Sequence, residues 1–423
     1  MTVSTGPPLP EPTLLPQPWM AHPATVAVMA ALAAAAGSEG ARFVGGCVRN
    51  ALLGAPVSDV DIATTLTPPE TKAALTAAKI TALATGEAHG TITAVSRGRT
   101  IEITTLRRDV ETDGRHAVVA FTDDWSADAA RRDFRLNALY ADAEGRLFDP
   151  TGHGLADVKA GAIVFVGDAE TRIREDALRI LRFFRFLAWY GRGEPDAAAL
   201  AACAALKDLV DGLSAERVAK ELLTLLAAED PRSAVRLMAA ARVLARVLPE
   251  AEDLARFEAL VGLETDMLAE GDSLLRLAAL LPADPRAAGA AADRLRLSNA
   301  QKARLVQAAK ADPAIISWMS PKAVRQSVYR LGADAFRDKA MLAWAGGGGA
   351  AMQWRALLPM AQSCPRSTLP LTGEDVMAAG IPEGPLVGMV LAEVESWWID
   401  NDFPSDKLSL IERLKAVAQG MGR

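Results

Sequence analysis

The chain has 423 residues, of which 50% are hydrophobic, 23% charged and only 5% aromatic, too apolar for a disordered protein and long enough for about two to four domains. Lys and Arg number 46 against 52 Asp and Glu, a net charge of −6; this excludes a continuous basic surface and leaves any nucleic-acid contact to a local patch. Three scattered cysteines, Cys47, Cys203 and Cys364, exclude a disulfide scaffold and a cysteine zinc site and favour a reducing compartment.

Residues 1–20 are rich in proline and nearly uncharged, so they read as a disordered leader without the basic start and apolar stretch of a signal peptide. An Ala/Val/Met run predicts a helix over Pro23–Ala36. Arg42–Gly45 reads as a short strand ending in Gly45-Gly46, Val48–Leu53 as a helix stopped by Gly54, and Val60–Ala63 as another strand. Thr67-Pro68-Pro69-Glu70 opens a helix with a capping residue, a first-turn proline and an early acid. Thr91–Val95 and Thr100–Thr104 flank Arg97-Gly98-Arg99, a hairpin signal. Arg108–Trp125 has mixed charge, Gly114 and no period, and reads as a loop. Residues 21–150 are therefore expected to form an α+β head.

After Asp149-Pro150 strand patterning almost vanishes, and apolar residues recur at i, i+3, i+4. Helices are predicted over Ala169–Arg174, Asp176–Tyr190, Asp196–Val210, Ala215–Ala227, Pro231–Ala240, Ser273–Leu281, Asn299–Lys310, Pro321–Leu331 and Asp406–Val417. They divide into an all-α neck, residues 151–230, and an all-α body and tail, residues 231–423, interrupted by the flexible Gly346–Gly349. Trp318, Trp344, Trp354, Trp397 and Trp398 read as core residues. His116 and His153 read as loop histidines without a partner. No uncharged apolar run reaches the length of a membrane span, so no membrane contact and a cytoplasmic location are expected.

The residues with chemical potential fall in four groups. Val44-Gly45-Gly46-Cys47-Val48-Arg49 places a glycine pair between a strand and a helix, an anion site made of unobstructed N–H groups. Asp59 and Asp61 follow at i, i+2; in a strand both carboxylates share one face, and hard oxygen ligands of this kind suit Mg²⁺. Val44–Thr64 resembles the signature of class II tRNA nucleotidyltransferases (CCA-adding enzymes) and bacterial poly(A) polymerases, within the DNA polymerase β-like nucleotidyltransferase superfamily. The resemblance implies that Asp59 and Asp61 bind the catalytic metals and that Gly46 and Arg49 contact a nucleoside triphosphate. Asn50 stands where the family usually carries Asp.

Glu102 lies among β-branched neighbours, either on the solvent face of an edge strand or as a third catalytic carboxylate beside the metal pair. Arg131-Arg132-Asp133 precedes Asn137 and resembles the family's Arg-Arg-Asp-Phe-Thr-x-Asn-Ala block, with Arg135 in place of Thr. Read physically, Asp133 orients the arginines toward a triphosphate and Asn137 bonds a sugar or backbone group; the alternative is a salt-bridged helix start. Asp176, Arg179, Arg182 and Arg185 step by three along one helix face, in a segment from Arg172 to Arg192 holding six arginines and two acids. The stripe is either a solvated face or a functional one. It resembles the family's Glu-Asp-x-x-Arg-x-x-Arg helix, which implies that Asp176 and Arg179 read the base edge, with Arg182 and Arg185 near phosphate or RNA.

An Asp accepts and an Arg donates, so such a pair admits cytosine and adenine and rejects guanine and uracil. The expected activity is addition of C and A to the 3′ end of tRNA from CTP and ATP, with Mg²⁺ as cofactor. No protein partner is evident. A poly(A) polymerase on the same scaffold, using ATP alone, is the alternative, and an inactive RNA-binding relative a more distant one. The motifs span about residues 42–222.

Overall fold

The structure, a computed structural model, describes residues 13–421 apart from 88–89, 114–115, 366 and 405. The chain forms two compact units, one ending at Pro249 and the other running Glu250–Arg423.

The first unit opens with α1 (Pro23–Ala36), β1 (Ala41–Val44), α2 (Gly46–Leu53), β2 (Asp61–Thr64) and α3 (Pro68–Ala77). There follow β3 (Thr81–Gly86), β4 (Thr91–Ser96), β5 (Arg99–Thr105), β6 (Arg107–Asp113), β7 (His116–Phe121), α4 (Trp125–Ala130), β8 (Tyr140–Ala141) and β9 (Leu147–Phe148). One sheet has the order β3-β4-β5-β2-β1-β8-β9, with β2 parallel to β5. Its register aligns Phe43 with Ile62, Ile62 with Ile103, and Ile103 with Ile92. Strand residues alternate faces, so this buried apolar row lies on one side, the side packed by α1 and α3. The next row, Asp61, Glu102 and Thr93, necessarily lies on the other. The predicted hairpin is present: Ser96 pairs with Arg99 around Arg97 and Gly98, both at positive φ, as a two-residue turn matched to strand twist requires.

The rest of this unit is helical: α5 (Gly154–Ala160), α6 (Ala169–Glu175), α7 (Leu178–Tyr190), α8 (Ala197–Ala205), α9 (Ala215–Leu226) and α10 (Arg232–Ala240). α7 packs on both α9 and α10. Phe134, from the segment after α4, touches Phe165 and Phe186, both with centroids at 4.9 Å, and Phe183 stacks on Phe165 at 6.0 Å. All four rings are buried, and each burial contributes about 1.5–3 kcal/mol. The aromatic layer therefore fixes α7 against the segment that carries Arg131–Asn137.

The second unit is built of helices, and the longer ones run Ala255–Asp266, Ala333–Ala345, Ala351–Gln362, Pro385–Asp400 and Lys407–Met421. Its last three helices close on a core of Val376, Val390, Val394, Trp398, Leu410 and Leu414. The helices on either side of Gly346–Gly349 pack on each other.

Four expectations need correction. Arg108–Trp125 is no plain loop: β6 and β7 form an antiparallel pair, with His116 in β7. Asp59 precedes β2 and is not inside it. Asp176 does not share a helix with Arg179; at φ −149° and ψ 104° it breaks the chain between α6 and α7. Among the tryptophans, Trp344, Trp354 and Trp398 are buried and Trp397 packs partly, whereas Trp318 is 67% exposed.

Candidate active-site cleft

The carboxylates sit where β2 and β5 run side by side. Asp61 and Glu102 are register partners, and β5 is an interior strand, so the edge-strand reading of Glu102 fails. Asp59 is exposed and accepts from Ser58 Oγ at 2.9 Å. Burial pushes the Asp61 carboxyl up to about 6, aided by the negative charges of Glu102 and Asp59 and opposed by Arg132. A carboxylate discouraged from ionising by its like-charged neighbours is a place short of a cation. Among the described residues no group of three or more His, Cys, Asp or Glu is placed to hold a metal by itself. A cation at Asp61 therefore needs further oxygen ligands from phosphate or water.

Opposite these acids, β1 turns into α2. Gly45 has φ +71° and ψ −119°, a conformation side-chain-bearing residues rarely adopt, and it leaves the first N–H groups of α2 open. Arg49, one turn in, is buried and, among the described residues, hydrogen-bonds only to neutral partners. It donates to Asn50 Oδ1 at 2.8 Å, to Tyr190 Oη at 2.9 Å and to Asn137 Oδ1. Desolvation weakens its hold on its proton. Asn50 thus keeps the hydrogen bond its position offers without the carboxylate charge, which leaves Arg49 short of an anion.

The Arg131–Asn137 segment is wired differently from the expectation. Asp128, not Asp133, orients the two arginines: Arg131 Nε donates to it at 2.8 Å, Arg132 Nη2 at 2.9 Å and Tyr140 Oη at 2.8 Å. Asp133 instead accepts from Arg182 Nε at 2.8 Å, from Asn137 Nδ2 at 3.0 Å and from the Phe134 N–H at 2.8 Å. Arg135 points to Asp157, Nε to Oδ2 at 2.6 Å, and does not line the cleft. Burial alone would raise both Asp128 and Asp133, yet the guanidiniums and hydrogen bonds prevail and hold each at about 2.

A depressed carboxyl stabilises the fold above its unfolded value, near 4, and loses that stability as pH falls toward 2. Asp128→Asn keeps the shape but leaves two half-buried arginines without their acid, a cost of up to about 3 kcal/mol. The expected result is a lower melting temperature at pH 7, with the difference from wild type shrinking as pH drops from about 4 to 2. Equal melting curves at pH 7 would contradict this role.

Along α7 every arginine of the stripe has an acid. Arg179 Nη1 donates to Glu175 Oε2 at 2.7 Å and its Nη2 to the Arg131 carbonyl at 2.9 Å. Arg182 holds Asp133, and Arg185 donates to Glu221 from α9. Asp176 accepts from the Leu178 N–H at 3.1 Å and from Arg217 Nη2 at 2.8 Å. The net positive segment is thus a network of fixed side chains, not a solvated face.

These parts enclose a cleft of about 420 Å³ lined by Gly45, Gly46, Arg49, Asp61, Glu102, Arg131, Arg132, Asp133, Asn137, Arg182 and Arg185, with Arg107 and Phe186. Of the residues expected from sequence, Asp59, Asp176 and Arg179 lie outside this lining. Arg179 sits directly behind Arg131, at the N-terminal end of α7. Asp128, Tyr190, Arg217 and Glu221 join the site without being expected there. Asp128 stands three and four residues before the arginines it orients, a helical spacing visible in the sequence. Nothing local marks the other three.

Residues 41–164 match the family described as "Poly A polymerase head domain" and residues 194–254 that described as "Probable RNA and SrmB-binding site of polymerase A". The CCA-adding enzyme of Latilactobacillus sakei is 31% identical over 397 residues, 90% of this chain and 95% of that one. The human mitochondrial CCA tRNA nucleotidyltransferase 1 is 46% identical over 191 residues, 44% of this chain and 43% of that protein. The matched stretch thus spans under half the length of the human and mouse relatives. The crystal structure of the Bacillus stearothermophilus CCA-adding enzyme in complex with CTP superposes with a TM-score of 0.74 at 27% identity, over 95% of this chain and 98% of that one. With a relative aligned almost end to end and the same architecture throughout, the chain belongs to the family of CCA-adding enzymes that share the poly(A) polymerase head.

Proposed function

We propose that the chain is a template-independent RNA nucleotidyltransferase that adds C and A to the 3′ end of tRNA, releasing pyrophosphate. The supporting observation is the cleft itself, in which the Asp61–Glu102 row faces the open turn at Gly45-Gly46 and the arginines Arg49, Arg131 and Arg132. The α2 N–H groups and these guanidiniums bind a triphosphate. Asp128 holds Arg131 and Arg132, and Asp133 holds Arg182 and Asn137. Asp176 and Arg179, at the start of α7, offer an acceptor and donors to the base edge, with Glu175 and Arg217 holding them still.

Asp59 and Asp61, with Glu102 beside them, fit Mg²⁺: their oxygens are hard donors, and a cation offsets the burial and the like-charge repulsion that raise Asp61. When bound, Mg²⁺ lowers the pKa of the RNA 3′-hydroxyl and neutralises charge at the attacked phosphate. Asp59 and Asp61 would hold the ion, while the arginines hold the leaving pyrophosphate.

The deciding test is incubation with tRNA lacking its 3′ end, Mg²⁺ and each nucleotide in turn. Two cytidines and one adenosine from CTP plus ATP are expected, with no incorporation of UTP or GTP. An open-ended A tail from ATP alone would identify a poly(A) polymerase, and no addition an inactive relative.

A further inference from the structure

We propose that Tyr190 is a positioning residue of the triphosphate site: from the C-terminal end of α7, its hydroxyl and ring hold the Arg49 guanidinium at the open turn between β1 and α2, where the phosphates bind. This rests on the nucleotidyltransferase reading above.

Arg49 is a buried cation without an acid of its own. It is 7% exposed, and burial weakens its hold on its proton. The acid that acts on it, Asp133, is already taken by Arg182 and Asn137, while Arg182 and Arg185 oppose its charge. Packing alone would be served better by an apolar side chain, because burying an unpaired charge costs stability. The location of the guanidinium accounts for that cost. A Cβ on Gly46 would fall 3.8 Å from Arg49 Nη2, so the charge lies beside the turn that leaves the N–H groups of α2 open. An anion bound by those N–H groups completes the missing pair.

Neutral acceptors from three places in the chain keep the guanidinium there. Asn50 Oδ1 accepts from Nε at 3.1 Å and from Nη2 at 2.8 Å, and its own Nδ2 is fixed on the Pro56 carbonyl at 2.8 Å. Asn137 Oδ1 accepts from Nη1. Tyr190 Oη accepts from Nη2 at 2.9 Å, the only hydrogen bond of that hydroxyl among the described residues. The Tyr190 ring centroid lies 4.1 Å from Arg49 Cζ, and that of Phe186, one turn back on α7, 5.2 Å. Among the described residues these bonds use four of the five N–H groups and leave one on Nη1 for a ligand. A carboxylate at position 190 would neutralise Arg49 and compete with the phosphates. A phenol sets its direction and leaves its charge whole.

The test uses the full chain, with nucleotide addition and the binding of inorganic pyrophosphate as separate readouts. Tyr190→Phe removes the hydroxyl and keeps the ring. It is expected to raise KM for CTP and for ATP by the same factor, roughly three- to thirtyfold, because both carry the same triphosphate. The kcat should stay within about twofold and the preference for C and A should not change. The Kd of pyrophosphate should rise by the same factor as KM. Tyr190→Leu, which removes the ring as well, should raise both roughly another two- to fivefold. In an Arg49→Ala background, Tyr190→Phe should alter pyrophosphate binding less than about twofold, since the hydroxyl then has no guanidinium to hold. A Tyr190→Phe protein whose KM values and pyrophosphate Kd stay within about twofold of wild type overturns the proposal. So does an equal effect of Tyr190→Phe with and without Arg49, which would make Tyr190 a packing residue of α7. Failure of the underlying reading looks different: Tyr190-dependent pyrophosphate binding by a wild-type chain that adds no nucleotide leaves the tether standing and removes the enzyme.

Discussion

Asp61→Asn should abolish nucleotide addition and, at the same time, stabilise the metal-free protein. Loss of one hard ligand and its charge removes several kcal/mol of transition-state stabilisation, roughly a thousandfold in rate. The stability change has the opposite sign because Asp61 is strained as an anion. Its carboxyl is raised from 3.8 to about 6 by burial, then by Glu102 and Asp59. The folded state therefore resists ionisation that the unfolded chain accepts, so the penalty appears above pH 4 and is complete above about pH 6. A neutral Asn escapes it. At pH 7.5 in EDTA the variant should gain about 2 kcal/mol, or roughly 4–8 °C in the melting of the first unit. The gain should vanish below about pH 3, where Asp61 is protonated in both states. Mg²⁺ should raise the melting temperature of wild type more than that of the variant. An Asp61→Asn protein that retains over a tenth of wild-type rate, or melts below wild type at pH 7.5 in EDTA, removes Asp61 from the metal site.

Much of this cleft is legible in the amino-acid sequence because its parts are local. A glycine pair at a strand end needs no tertiary contact to define an anion site. Strand alternation puts Glu102 on one face, although only the parallel pairing of β2 with β5 brings it next to Asp61. The arginine stripe is visible in the sequence, but its meaning is not: Glu221, 36 residues beyond Arg185, neutralises it from α9. Asp176 falls at a helix break that no Gly or Pro announces, and its own carboxylate satisfies the Leu178 N–H there. The β6–β7 pair is hidden because Arg107–Asp113 is charged almost throughout, without alternation. In the second unit, the helix Ala351–Gln362 contains Pro359, a residue that argues against helix, and Pro385–Asp400 is apolar on nearly every side. Trp318 and Trp354 have the same side chain and opposite fates, and only tertiary packing separates them.

Base choice should change most with Asp176. Its carboxylate already takes one N–H from the backbone of Leu178 and one from Arg217, so its orientation is set before a nucleotide arrives. Asp176→Asn preserves shape but exchanges an acceptor for a donor, and a donor faces the O4 of uracil or the O6 of guanine favourably. One reversed contact of this sort is worth about 1–3 kcal/mol, so discrimination against UTP and GTP should fall roughly ten- to a hundredfold. If Arg179 turns its donors to both bases as proposed, Arg179→Ala should act differently, weakening CTP and ATP together. Arg217→Ala leaves the charge of Asp176 and removes its brace, so an intermediate loss of selectivity is expected, with Arg217→Lys recovering part of it. Steady-state incorporation of all four nucleotides, read beside a thermal melt, separates these outcomes. If all three substitutions lower the melting temperature while C and A remain preferred as before, the joint between α6 and α7 serves packing and the bases are read by other residues.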